Sequence, residues 1–260
     1  MDPAQDKVQE TALPSILRIE AACLSAWPSI ALVHDGGWIW RFAQGYSKRA
    51  NAFQSLDPSD DGDAEARIAT LAALSRRHGI EPIFRVTPLA GPGVVAALDR
   101  LGWTAFDESR VMAMPLAAVA VPDGDVRLLK PGDPRWYRAE AGLAGYDART
   151  VETLRTLLAL IAPESKGFVV HGRDGTPAAA ALAVNACGIG VFLNVVADRA
   201  RRRQGFGRTV MQAALGWTHE RGARHAALQV GSDNGSAIAL YESLGFVECY
   251  RYHYRRPPKV

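Results

Sequence analysis

Apolar and polar positions along this 260-residue chain follow two periods, close to two and close to 3.6, and the changes between them mark the elements. After a loose polar leader over residues 1–12, Pro14–Ser25 reads as a first helix, and Trp38–Phe42 and Ala50–Leu56 as strands around the polar turn Gln44–Arg49. An acidic loop, Ser59–Asp63, precedes a helix predicted over Ala64–His78, a strand over Ile83–Thr87, a helix over Val94–Arg100 and a strand near Val111. The stretch Met114–Gly124, closing on Pro122-Asp123-Gly124, is where the chain is expected to divide.

Beyond that point the pattern gives a strand over Val126–Leu129 and helices over Trp136–Leu143 and Val151–Ile161. A hairpin follows, Phe168–His171 and Ala178–Val184 joined by Arg173–Pro177. Val191–Ala197 is uncharged and rich in β-branched residues, as suits a strand buried on both faces. Val210, Ala214, Trp217 and Thr218 then fall on one side of a helix. A strand over His225–Val230, a short helix ending in Leu240–Phe246, a last strand over Val247–Tyr254 and a solvated tail from Arg255 complete the chain.

Pro177–Ala197 carries no charge over a length that would span a bilayer. Asn185, Gly188, Gly190 and Asn194 interrupt it with turn chemistry, so two core strands joined at Asn185–Gly190 are expected, with no membrane role. With 48% hydrophobic and 22% charged residues the composition is globular, and the length suits two compact units. A net charge of +3 is too small to argue for nucleic acid. Cys23, Cys187 and Cys249 lie far apart without metal-ligand spacing, which points to reduced thiols in a cytoplasm.

Asp198–Gly207, between the buried strand and the following helix, holds four arginines and two glycines. Glycine-rich backbone ahead of a helix turns its amides toward one point and suits phosphate. Arg202, Arg203 and Arg208 add planar cationic donors. A short G-x-G is weak evidence by itself, but Asn234, Ala237, Leu240, Tyr241 and Leu244-Gly245-Phe246 follow at a fixed distance.

Together these motifs resemble the GNAT superfamily of acyl-CoA-dependent N-acetyltransferases, over the segment from Asp125 to the C-terminus. Arg202-Arg203-Gln204-Gly205-Phe206-Gly207 matches the superfamily's pyrophosphate signature at every fixed position. The resemblance implies an α/β (α+β) fold and acetyl-CoA as co-substrate. It implies that Val195 and Val196 pair with the pantetheine arm, that Arg202 to Arg208 hold the pyrophosphate, that Asn234 helps place the cofactor, and that Tyr241 protonates the leaving thiolate. A glutamate or aspartate is common in the superfamily on the strand before the phosphate loop; here that strand offers only Asn194. The base is then elsewhere, a water, or not needed, with Glu164, His171 and Asp233 as candidates.

A constant offset of 143 positions lays Asn51 on Asn194, Gly62 on Gly205, Gly79 on Gly222, Ala96 on Ala239 and Leu101-Gly102 on Leu244-Gly245 without a gap. Two related units in tandem are therefore expected, residues 1–118 and 125–260, each a mixed, mostly antiparallel sheet flanked by helices. Under the phosphate loop the first half puts Ser59, Asp60, Asp61, Gly62, Asp63 and Ala64, and under Tyr241 it puts Leu98. Three carboxylates would repel a pyrophosphate, so the first half should bind no CoA. Bracing the active half, closing the acceptor cleft or forming a homodimer contact are the jobs left to it. Trp38–Arg49 either lines the substrate pocket or packs as an ordinary hairpin.

The function expected is transfer of an acetyl group from acetyl-CoA directly to an amine of a small molecule or peptide, with no metal. Two alternatives stay open: a non-catalytic CoA-binding regulator, and a nucleic-acid binder using Arg201–Arg208 and the basic tail.

Overall fold

A computed structural model describes residues 12–119 and 124–259, so most of the polar leader, and residues 120–123 of the expected junction, lie outside it. The first half comprises α1 (Ile16–Ala26), β1 (Ala31–Asp35), β2 (Trp38–Phe42), β3 (Phe53–Ser55), α2 (Ala64–Arg77), β4 (Phe84–Val86), α3 (Pro92–Arg100) and β5 (Thr104–Pro115). The second comprises β6 (Val126–Leu129), α4 (Pro134–Ala144), α5 (Ala148–Ala159), β7 (Glu164–His171), β8 (Pro177–Ala186), β9 (Ile189–Ala197), α6 (Phe206–Glu220), β10 (His225–Gly231), α7 (Gly235–Glu242) and β11 (Val247–Arg256). Side chains start the helices where the sequence offers caps: Ser15 accepts from the Arg18 amide, Asp133 from Arg135 and Asp147 from Thr150.

Among the described residues the strands form one sheet of eleven in the order β1-β2-β3-β4-β11-β5-β10-β9-β8-β7-β6. Pairing is antiparallel except for β3 with β4 and β9 with β10, which gives the mixed α/β class. The offset of 143 explains the order. It lays Ala64 on Gly207 and Arg77 on Glu220, matching α2 to α6, and Thr104 on Val247, matching β5 to β11. Under that match the sheet reads the same from its middle outward in both directions. Each half has lent its last strand to the other: β5 pairs with β10, β11 pairs with β4, and the two exchanged strands pair with each other from Val247–Ala113 to Arg256–Thr104.

Alternation along β9 sends Val191 and Leu193 to one face and Phe192 to the other. On the first face they pack with Trp136 of α4, Leu154 of α5 and Ile19 of α1; on the second Phe192 packs with Met211 and Leu215 of α6. A third cluster, with Trp38, Trp40, Phe53 and Phe84 at its centre, is the first half's own. The uncharged run Pro177–Ala197 is the β8–β9 hairpin, turned by Cys187 and Gly188 with φ of +54° and +77°. Among the described residues no helix is long and apolar enough to cross a membrane.

A buried ionic cluster fastens the exchange. Glu20 of α1 and Arg85 of β4 form a bidentate pair, and Glu20 also accepts from Gln54 of β3 at 3.0 Å and from the Tyr250 hydroxyl of β11 at 2.6 Å. Burial alone would raise the Glu20 pKa, but the Arg85 charge and these hydrogen bonds pull it below the usual carboxylate range.

Two sequence expectations need correction. The edge strand β1 was not anticipated, and its outward residues Leu32 and Val33 are exposed. Nor is the end a free tail, because β11 continues to Arg256, with Arg255 paired to Asp99.

Candidate active site

The site begins where two parallel strands part. β9 and β10 pair from Ile189–His225 to Phe192–Leu228, and there the pairing stops. On its other side β9 bulges: Leu193 faces Leu182 and Val196 faces Ala180, so Asn194 and Val195 together oppose Ala181. Asn194 takes φ +50° to make the bulge. The backbone of Asn194–Ala197 thus lies beyond the last pair with β10, free along that edge for an extended ligand.

The chain then turns through a short helical stretch, Arg199–Arg201, started by the Asp198 side chain. Arg201 is held there by Asp198 at 2.7 Å, Asp174 at 3.1 Å and the Pro177 carbonyl at 2.7 Å. Arg202 and Arg203 make no ion pair among the described residues, and Arg208 donates to Ser243 Oγ at 2.6 Å. Gly205 precedes α6 with φ +84°, a conformation that costs other residues about 1 kcal/mol or more, and a β-carbon there would point into open space. Gly207 serves a different purpose, since a β-carbon would stand 3.3 Å from the Leu240 side chain of α7. The first amides of α6 have no partners inside the helix and point out of its N-terminus.

One cavity of about 690 Å³ collects every site residue expected from the sequence: Val195, Val196, Arg202, Arg203, Gln204, Gly205, Phe206, Gly207, Arg208, Asn234 and Tyr241. Among the described residues five arginines and no carboxylate line it, which suits a polyphosphate. Asn234 caps α7 by accepting from the Ala237 amide at 3.2 Å, so the turn and the site use the same residue. Tyr241 is buried edge-on against Phe246, and burial pushes its phenol up to about 12. It stays protonated at neutral pH.

The matching region of the first half is filled by its own chain. Asp61, which falls on Gln204, accepts from the Gly93 amide of α3 at 2.8 Å, and a β-carbon on Gly91 would lie 2.3 Å from the Pro58 carbonyl. Asp60 is engaged by the Gly37 amide at 2.6 Å and by Arg67 at 2.8 Å. The tryptophans of Trp38–Arg49 pack in the core, as an ordinary hairpin would. The following turn does something else. Asn51 ties it down through the Ala43 and Gly45 amides and the Ser47 carbonyl, and from it Gln44 meets Thr153, Tyr46 meets Tyr146 and Arg49 reaches Gln229.

Sequence reasoning missed Glu140. It lies on α4 with no solvent exposure, accepts from the Asn194 side-chain amide at 3.1 Å through Oε1, and has no partner for Oε2 among the described residues. Burial raises its carboxyl to about 7, opposed by the Asn194 amide and the Tyr146 hydroxyl. A signal existed: Glu140 follows the buried Trp136 by four residues, on the same helical face. Of the candidates considered for a base, Glu164 is bound at the surface to Arg221 at 2.7 Å. His171 ends β7 and Asp233 lies past the end of β10, and neither bonds to Asn194.

The chain matches the family model described as "Probable histone acetyltransferase Rv0428c C-terminal" over residues 14–255, which spans both halves. The uncharacterized N-acetyltransferase YobR of Bacillus subtilis (strain 168) is 23% identical over 250 residues, covering 94% of this chain and 99% of its own. A GCN5-related N-acetyltransferase from Kribbella flavida is similar in structure with a TM-score of 0.73 and 20% identity, over 96% of this chain and 98% of its own. A tandem GNAT protein from the clavulanic acid biosynthesis pathway gives a TM-score of 0.67 at 16% identity, over 97% of this chain and 93% of its own. The structural likenesses carry the fold, and the family match carries the kinship. This chain belongs to the Rv0428c C-terminal family and is an acetyltransferase of the GNAT superfamily.

Proposed function

We propose that the protein transfers an acetyl group from acetyl-CoA to an amine of a small molecule or peptide, by direct attack of the amine on the bound thioester. The observation that carries this reading is the cavity beyond the β9–β10 parting, where an unpaired strand edge, an arginine-lined loop opening a helix and a protonated tyrosine meet. Acetyl-CoA supplies the activated acetyl group. Val195 and Val196 offer backbone to its amide-bearing arm, Arg202 to Arg208 with the α6 amides hold the diphosphate, and Asn234 shapes the far wall. Tyr241 gives its proton to the sulfur as the thiolate leaves.

Only the second half, residues 125–260, is assigned a CoA site. The first half, residues 1–118, has carboxylates where the arginines stand and closes on them. The free thiols Cys23, Cys187 and Cys249 suit the cytoplasm. A homodimer contact stays among the roles we assign to the first half.

Titration calorimetry with acetyl-CoA and with free CoA, followed by a turnover screen against amines, tests the reading. Micromolar binding with acetylated product is expected. Binding without turnover across the panel would favour a CoA-binding regulator, and salt-sensitive RNA or DNA binding with indifference to CoA would favour the third reading.

A further inference from the structure

We infer that Glu140 is the base that takes the proton from the acceptor nitrogen, and that the proton leaves through Tyr146 and Tyr46, so the first half completes the chemistry of the second. The inference rests on the acyltransferase reading.

Three placements carry it. Glu140 is fixed: one turn earlier the Trp136 indole donates to the Phe168 carbonyl at 3.2 Å and to the Ala181 carbonyl at 3.0 Å, and Ala181 is the residue opposite the β9 bulge. Its carboxylate therefore sits under Asn194, where β9 parts from β10, with Oε2 unsatisfied in a buried place. A buried carboxylate oxygen without a donor is costly to keep, and a proton-accepting task accounts for it.

The second placement is a path outward. Tyr146, in the turn after α4, neighbours Glu140, and the Tyr46 hydroxyl lies 3.0 Å from the Tyr146 hydroxyl. Tyr46 lines a cavity of about 790 Å³ between the first half and α5, open to solvent. Both phenols are raised by burial, so they pass a proton along without resting as phenolate.

Third, no charged side chain acts on Glu140 itself, whereas the cavity at the outer end of the path is lined by Lys48, Glu81, Asp107, Arg149 and Arg256. Asn194 is the β9 group on Glu140 and is neutral; Tyr146 and Tyr46 are the titratable groups; Arg49 is the cation acting on Tyr46. With its carboxyl raised to about 7, Glu140 is in large part ionised at neutral pH and able to take a proton.

In the reaction the carbon–nitrogen bond forms and the carbon–sulfur bond breaks, and the nitrogen sheds two protons. Glu140 takes them in turn and passes them to solvent. Tyr241 gives one proton to sulfur and regains one from solvent, so one proton is released per turnover.

Infrared titration of the ligand-free protein should show a carboxyl ionising near pH 7 in wild type and missing in Glu140→Gln, whose side chain can still accept from Asn194. With a primary alkylamine that wild type acetylates, Glu140→Gln should lose 10²-fold or more in kcat/KM and the pH-rate inflection near 7. With the hydrazide of the same skeleton, already neutral at that pH, the loss should be under about tenfold. Tyr46→Phe should slow the alkylamine reaction and leave acetyl-CoA affinity unchanged. Absence of the infrared titration, or equal losses with both nucleophiles, would overturn the assignment. If wild type acetylates nothing, the acyltransferase reading fails by itself, and the infrared result still decides whether Glu140 is a poised base.

Discussion

Asn194 donates its side-chain amide to Glu140 at 3.1 Å, joining the bulged residue of β9 to a carboxyl on α4 that has no contact with solvent. Burial outweighs what the Asn194 amide and the Tyr146 hydroxyl offer a carboxylate, so the carboxyl holds its proton to about pH 7 against 4.5 in a free chain.

That difference makes stability depend on pH with a definite sign. Between pH 4.5 and 7 the folded protein keeps a proton that the unfolded chain has released, so stability falls as pH rises and levels off above 7. The loss is about 3.5 kcal/mol at most, from roughly 1.4 kcal/mol per pH unit. Glu140→Gln removes the slope. Urea denaturation at pH 5 and pH 8 should find the variant gaining on wild type at the higher pH; a gap that stays constant contradicts the placement.

Glu20 behaves oppositely. Its pKa is lowered, so its contribution is present above the free-chain value of 4.5 and disappears as pH falls below it. Glu20→Gln leaves Arg85 buried without a countercharge and should cost about 3–5 kcal/mol, read as a lower melting temperature at neutral pH. A shift within error would mean that water reaches the cluster.

Tyr241→Phe keeps the ring against Phe246 and deletes the phenolic proton. Turnover should drop by roughly 10²-fold while the acetyl-CoA dissociation constant moves less than about twofold. Unchanged kcat removes Tyr241 from the proposed mechanism.

The paired glycines test the division of labour. Gly205→Glu places a carboxylate in the arginine-lined cavity at a residue with φ +84° and should abolish CoA binding. Gly62→Glu enters open space at a position without that backbone demand and should leave binding as it was. Calorimetry on both variants decides, and equal losses would assign the loops wrongly.

The sequence carried much of this, and for identifiable reasons. Val191–Ala197, the Arg202–Gly207 loop and Tyr241 announce themselves because periodicity and spacing are local properties, and one cavity brings Val195–Ala197, the loop and the tyrosine together. Partner choice is not local. Nothing in β5 or β11 says that each pairs across the repeat, though the offset of 143 contained the symmetry. β1 escaped notice because Ala31–Asp35 is an edge with exposed apolar residues, although Gly36-Gly37 after it marks a turn. Glu140 reads as one more polar residue beside Arg138, and its burial emerges only once Trp136 fixes which face of α4 is inward.

The exchanged strands also govern how the molecule is made. As the chain leaves the ribosome, β4 and β5 must wait with a gap between them, because the strand that fills it is the last of the sheet to be synthesised. Until Val247–Arg256 emerges, the first half holds two open hydrogen-bonding edges and a buried arginine lacking the Tyr250 side of its cluster. Nascent chains stalled short of that strand should be the ones that chaperones retain.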